Sequence, residues 1–161
     1  MELPLSDLSN FRLIGLKLDH KTTNKNFKAA IDCGMLWQKF ESEKWLERIP
    51  GKLETNIYAI YFDYEGDHTA PFSFFIGCKV AEDEKVPEGM LALQIPSSSY
   101  VKYLAKGKMP ECIAEAWGEI WKSETNRLYQ FDFEIYGRGS WDWNNASVEI
   151  YVSSAQTSNN E

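Results

Sequence analysis

Residues 11–19 (FRLIGLKLD) place Ile14, Leu16 and Leu18 at alternate positions, a period of two that predicts a strand. From about Asn24 the apolar spacing lengthens to three and four: Phe27, Ala30, Ile31, Gly34 and Trp37, continuing through Phe40 and Trp45 until Pro50–Gly51. That is the period of a long amphipathic helix, which Asn24 or Thr23 can cap. Two strand-like runs follow, 56–64 (NIYAIYFDY) and 72–80 (FSFFIGCKV), parted by the turn-rich EGDHTAP. In the second, Phe74, Ile76, Cys78 and Val80 alternate against Phe75, and either set can face a cleft. Residues 90–95 and 99–105 form a further extended pair, broken by Pro96–Ser97–Ser98. Pro110 then suits the first position of a second helix, with Glu111 favourable beside its N-terminus. Its apolar stripe is Ile113, Ala116, Trp117, Ile120 and Trp121. The runs 129–136 (YQFDFEIY) and 146–152 (ASVEIYV) complete the pattern, and residues 155–161 form a polar tail.

The series of strand, helix and two strands thus occurs once over about 11–80 and again over about 90–152. This predicts one α+β domain, residues 1–154, built from duplicated β-α-β-β units related by a pseudo-twofold. Antiparallel sheets would carry the two helices on one side, with a central cleft between the halves. Laying YAIYFDYEG, from Tyr58, beside YQFDFEIYG, from Tyr129, ends both on glycine and sets Asp63 opposite Glu134. Trp37 and Trp117 then stand upstream, one on each helix.

Within 129–136, Tyr129, Phe131, Phe133 and Ile135 share one face, expected to pack under the helices. Gln130, Asp132, Glu134 and Tyr136 take the other. Strand 146–152 repeats this, with Val148, Ile150 and Val152 inward and Ser147, Glu149 and Tyr151 opposite. Side by side, the two strands would present Glu134, Tyr136, Glu149 and Tyr151 on a single surface, either solvated or the floor of a cleft. Glu134 would equally suit a surface acid or a partner for Arg127 or Arg138. Trp117 would equally suit plain helix–sheet packing.

Six Trp, eight Tyr and nine Phe make 14% of the chain aromatic, more than a core of this size usually asks for. Either the core is built from large side chains, or some rings line a ligand cleft. The net charge of −7 repels phosphate backbones and disfavours nucleic acid, while it favours cationic molecules or a basic protein surface. Cys33, Cys78 and Cys112 are far apart and only His20 and His68 could join them, so no metal site or cofactor is expected. With no signal-peptide pattern and no apolar run long enough for a bilayer, a reduced, cytoplasmic protein is expected.

Taken in order, FRLIGLKL, YAIYFDYEGD, FSFFIGCKV, VPEGMLALQIPSSSYVKYLAKG, AWGEIW, RLYQFDFEIYG and SVEIYV resemble the GyrI-like, or AraC-type effector-binding, family from Phe11 to about Ser154. The resemblance implies a cleft that takes lipophilic, often cationic, aromatic molecules. It implies Glu134 as buried counter-charge, Glu149 as second carboxylate, and Tyr61, Tyr136, Tyr151 and Trp117 as the surrounding rings. Regulators of this family carry a helix-turn-helix ahead of the domain. Only about ten residues precede the first expected strand here, so the stand-alone branch is expected, without direct DNA reading. That branch includes ligand binders, gyrase-inhibitory proteins that act on a protein partner, and hydrolases of strained rings. In the last case Glu134 would be a general base with a tyrosine as proton donor. No Ser–His–Asp, Cys–His or metal set is present to favour catalysis over binding.

Overall fold

The computed structural model describes residues 4–123 and 126–155, and the polar tail from residue 156 lies outside them. The strands are β1 (Leu5–Leu8), β2 (Phe11–Lys17), β3 (Ile57–Phe62), β4 (Ser73–Val80), β5 (Leu91–Ile95), β6 (Ser98–Gly107), β7 (Phe131–Tyr136) and β8 (Ala146–Ser153). The helices are α1 (Lys28–Ser42), a single turn α2 (Trp45–Arg48) and α3 (Glu111–Lys122). All eight strands form one antiparallel sheet in the order β1-β6-β8-β7-β3-β4-β2-β5. Each half contributes an outer, a middle and an inner strand: β2-β4-β3 from the first, β6-β8-β7 from the second. The halves join through β3 and β7, so the two expected half-sheets are one surface.

The runs 90–95 and 99–105 do not pair with each other. β5 pairs with β2, whereas β6 pairs with β8 and β1. Leu5↔Val101 through Leu8↔Ser98 continues in register into Phe11↔Ile95 through Gly15↔Leu91. The two links, Ser9–Asn10 and Pro96–Ser97, lie side by side between the two ladders, and the Asn10 backbone N–H donates to Ser97 Oγ at 2.9 Å. Links this short cannot span a flat sheet, so the sheet curls until its outer strands meet. The ring of Phe11 on β2 and that of Tyr100 on β6 accordingly both touch Phe133 on β7, at 5.6 and 5.2 Å between centroids.

The curled sheet is apolar on both faces. One face packs Phe11, Leu13, Tyr58, Ile60, Phe75 and Phe133 together, away from the helices. The other lies under the helices: Ile14, Leu16, Phe74, Ile76, Cys78 and Val80 meet α1, and Ala105, Val148, Ile150 and Val152 meet α3. Strand β4 therefore turns its Phe74 set to α1 and Phe75 to the opposite face.

Two expectations about faces are overturned. Helix α1 does not bury Phe27 and Ile31, which are 80% and 60% exposed; it buries Ala29, Cys33, Leu36 and Phe40. Asn26 and Phe27 are left-handed, at φ 53° and 59°, so the helix starts at Lys28 rather than near Asn24. Lys44, at φ 58°, then divides α1 from α2. On β7 it is the polar set, Asp132, Glu134 and Tyr136, that lies under the helices, while Phe133 and Ile135 face away. A strand with core on both sides leaves hydrophobic alternation unable to say which side the helices take.

Candidate functional site

Strand β7 carries two buried carboxylates on its helix-covered face, Asp132 at 0% exposure and Glu134 at 1%. Arg127 ion-pairs with Asp132 at 2.8 Å. The Tyr64 hydroxyl (2.7 Å), the Ser153 backbone N–H (2.8 Å) and the Ser153 hydroxyl (2.9 Å) also donate to Asp132. Glu134 has no cation within ion-pair distance among the described residues, and the alternative of an arginine partner falls away. Arg127 serves Asp132, and the Arg138 guanidinium lies over the exposed Trp141 ring at 5.5 Å.

Three neutral donors hold Glu134 instead. Trp117 Nε1–H and the Tyr61 hydroxyl donate to Oε2 at 2.6 and 2.8 Å, and the Tyr136 hydroxyl donates to Oε1 at 2.5 Å. Burial pushes the Glu134 carboxyl above its ordinary range, and these hydrogen bonds offset only part of that. Burial, followed by the nearby Glu134 charge, holds both tyrosine hydroxyls well above the usual phenol range, so they remain donors.

Around the carboxylate the rings form a cage. Trp117 of α3 meets Tyr61 of β3 edge-on at 5.3 Å, and Trp37 of α1 meets Tyr136 of β7 edge-on at 5.0 Å. A pseudo-twofold that exchanges Tyr61 with Tyr136 also exchanges the two indoles. Because Ile57 pairs with Tyr136 and Tyr61 with Asp132, that axis passes through the Ala59↔Glu134 pair. The counterpart of Glu134 is therefore Ala59. The alignment that set Asp63 opposite Glu134 was four residues out of register, because it matched glycines in the turns rather than the tyrosines of the floor.

Of the six residues expected to form one site, Glu134, Tyr136, Tyr61 and Trp117 come together. Glu149 and Tyr151 do not join them. β8 pairs with β7 through Glu134↔Ile150 and Ile135↔Glu149, which puts both on the far face of the sheet. There Tyr151 stacks on Phe133 at 5.1 Å, and Glu149 ion-pairs with Lys102 at 3.0 Å. Sequence reasoning missed Trp37 as a wall of the cage, although its match with Trp117 in the duplicated helices was the available signal. It also missed Asp132 as the acid that takes the arginine.

The family described as Cass2, integron-associated effector binding protein, matches residues 5–153. An integron cassette protein from the mobile metagenome of Vibrio cholerae superposes with a TM-score of 0.69 at 26% identity, over 95% of each chain. SAV2435 bound to tetraphenylphosphonium superposes with a TM-score of 0.78 over 98% of this chain and 96% of that one; at 18% identity this is a likeness of fold. The transcriptional regulator BrlR of Pseudomonas aeruginosa is 30% identical over 128 residues, which are 74% of this chain and 45% of BrlR. The YobU protein of Bacillus subtilis is 29% identical over 102 residues, 62% of this chain and 64% of that protein. Each match spans less than two thirds of the curated relative's length.

Proposed function

The chain belongs to the family of integron-associated effector binding proteins, and from that premise we propose that it holds a lipophilic, cationic aromatic molecule against Glu134. The module would act as a sensor or a sequestering protein. The observation that carries the reading is the contrast on β7, where Asp132 has its own guanidinium and Glu134 has only neutral donors. A carboxylate taken out of water without a counter-ion is costly. A delocalised cation among rings restores the missing charge and gains from the ring faces. A neutral ligand of the same shape gains the rings alone. The tetraphenylphosphonium bound by SAV2435 has this chemistry.

Glu134 is 1% exposed, so entry of a ligand requires the rings that cover it, Trp117 among them, to move aside. Helix α1, which carries Trp37, is bounded by left-handed non-glycine residues at both ends, Phe27 and Lys44. Such residues are backbone strain points, where a small rotation of the helix can originate.

The test is a tryptophan-fluorescence titration with tetraphenylphosphonium and, as neutral counterpart, triphenylphosphine oxide. Glu134→Gln keeps the volume and removes the charge. It is expected to weaken the cation by about 1–3 kcal/mol, roughly 5- to 150-fold in Kd, and to leave the neutral compound nearly unchanged. Equal losses for both compounds would remove Glu134 from the role of counter-charge.

A further inference from the structure

On the far face of the same central strands lies a cleft of about 260 Å³. Its walls include Phe11, Tyr58, Phe133, Ile135, Tyr151 and Lys79, and residues 8–10 line it as well. Phe133 and Ile135 point into it from the strand that turns Glu134 and Tyr136 to the helices, so the cleft and the cage stand back to back. The rings are in mutual contact: Phe11 with Tyr58 at 5.6 Å, Phe11 with Phe133 at 5.6 Å, and Tyr151 stacked on Phe133.

The charge facing this cleft is positive. Lys79 is partly buried, and its ammonium stands 5.2 Å from the centroid of the Phe11 ring. It makes no ion pair within 4.0 Å among the described residues. Of the carboxylates near the rim, Glu149 ion-pairs with Lys102 at 3.0 Å, and Glu54, which accepts the Tyr58 hydroxyl at 2.7 Å and the Asn56 amide at 3.0 Å, does not line the cleft. The arrangement inverts the cage, with an unpaired cation among rings in place of an unpaired carboxylate.

We propose that this cleft is a second ligand site, selective for a small aromatic carboxylate whose ring lies on Phe11, Tyr58 and Phe133 and whose anion meets Lys79. The volume falls just below the ~300–1,000 Å³ of drug-sized pockets, which suits a body of one or two rings. An aromatic ring stacked on the floor leaves its carboxylate at the edge of the cleft, within reach of the Lys79 ammonium. The site is independent of the Glu134 cage and of what that cage binds.

The experiment is isothermal titration with 2-naphthoate, with the cation 2-naphthylmethylammonium as control and melting curves to verify that every variant folds. Saturable binding of 2-naphthoate is expected, weakened about tenfold or more by Lys79→Gln and retained by Lys79→Arg. Binding should be indifferent to Glu134→Gln and to saturating tetraphenylphosphonium. The proposal is overturned by absence of saturable binding, by equal affinity for the cation control, or by an unchanged affinity in Lys79→Gln. Displacement by tetraphenylphosphonium would also overturn it, since it would place the anion in the cage.

Discussion

Asp132 and Glu134 stand two residues apart on one face of one strand, and their environments differ in a way that mutation can read. Removing the guanidinium with Arg127→Met leaves Asp132 buried and unpaired, so a loss of about 3–5 kcal/mol is expected in a denaturant melt. Glu134→Gln acts in the other direction. Burial holds the folded-state pKa of Glu134 above its ordinary 4.5, so its contribution to stability is greatest below pH 4.5 and is lost as pH rises through the elevated value. The Gln variant does not titrate there. Its stability relative to the wild type should therefore climb with pH over that window, and melting curves collected from pH 4 upward, at roughly one-unit steps, would show it. A wild type that instead gains on the variant as pH rises would mean that the charged form is the one the fold favours. Cation affinity should follow the same titration, strengthening as Glu134 loses its proton.

At the scale of elements, two glycines separate crowding from open space. Gly15 on β2 faces Gly77 on β4, and a Cβ added at Gly15 would lie 1.9 Å from the Ile76 carbonyl oxygen. Backbone must move to admit it, so Gly15→Ala should cost about 3 kcal/mol or more. Gly34, inside α1, has nothing within 4 Å of the same position. Gly34→Ala should therefore stabilise the chain by about 0.5–1 kcal/mol through helix propensity. Thermal melts of the two variants should move in opposite directions. These elements were legible in the sequence to different degrees. The strand runs and α3 show in their periods: Ile113, Ala116, Trp117 and Ile120 recur at helical spacing and pack inward with Cys112, while Trp121, expected on the same stripe, is exposed. The face of α1 does not. Its buried set opens with small residues, Ala29 and Cys33, ahead of Leu36 and Phe40, whereas the large Phe27, Ile31 and Met35 repeat at helical spacing on the exposed side. Glu134 was singled out by the alternation of its strand together with the family resemblance, since the alternation alone fits a solvated face as well. Its separation from Glu149 could not be found this way, since that depends on how β7 and β8 pair across a sheet with core on both sides.

For the whole molecule, the net charge of −7 opposes approach to a phosphate backbone. This chain by itself should show no retention of duplex DNA in a gel shift at physiological salt, and micromolar, salt-sensitive retention would contradict that. The pseudo-twofold through Ala59 and Glu134 has a consequence of another kind. Two indoles and two phenols repeat themselves after a half-turn about that axis, while the single carboxylate beside it serves either orientation. A guest of the kind proposed for the cage therefore has two head-to-tail poses, made unequal by the Trp117 hydrogen bond to Glu134, and the gain from having both is at most RT ln 2, about 0.4 kcal/mol. Having both also weakens discrimination between the ends of the guest. An unsymmetrical guest labelled at one end should report both poses, as two resonances or one averaged line, and Trp37→Ala should collapse them to one.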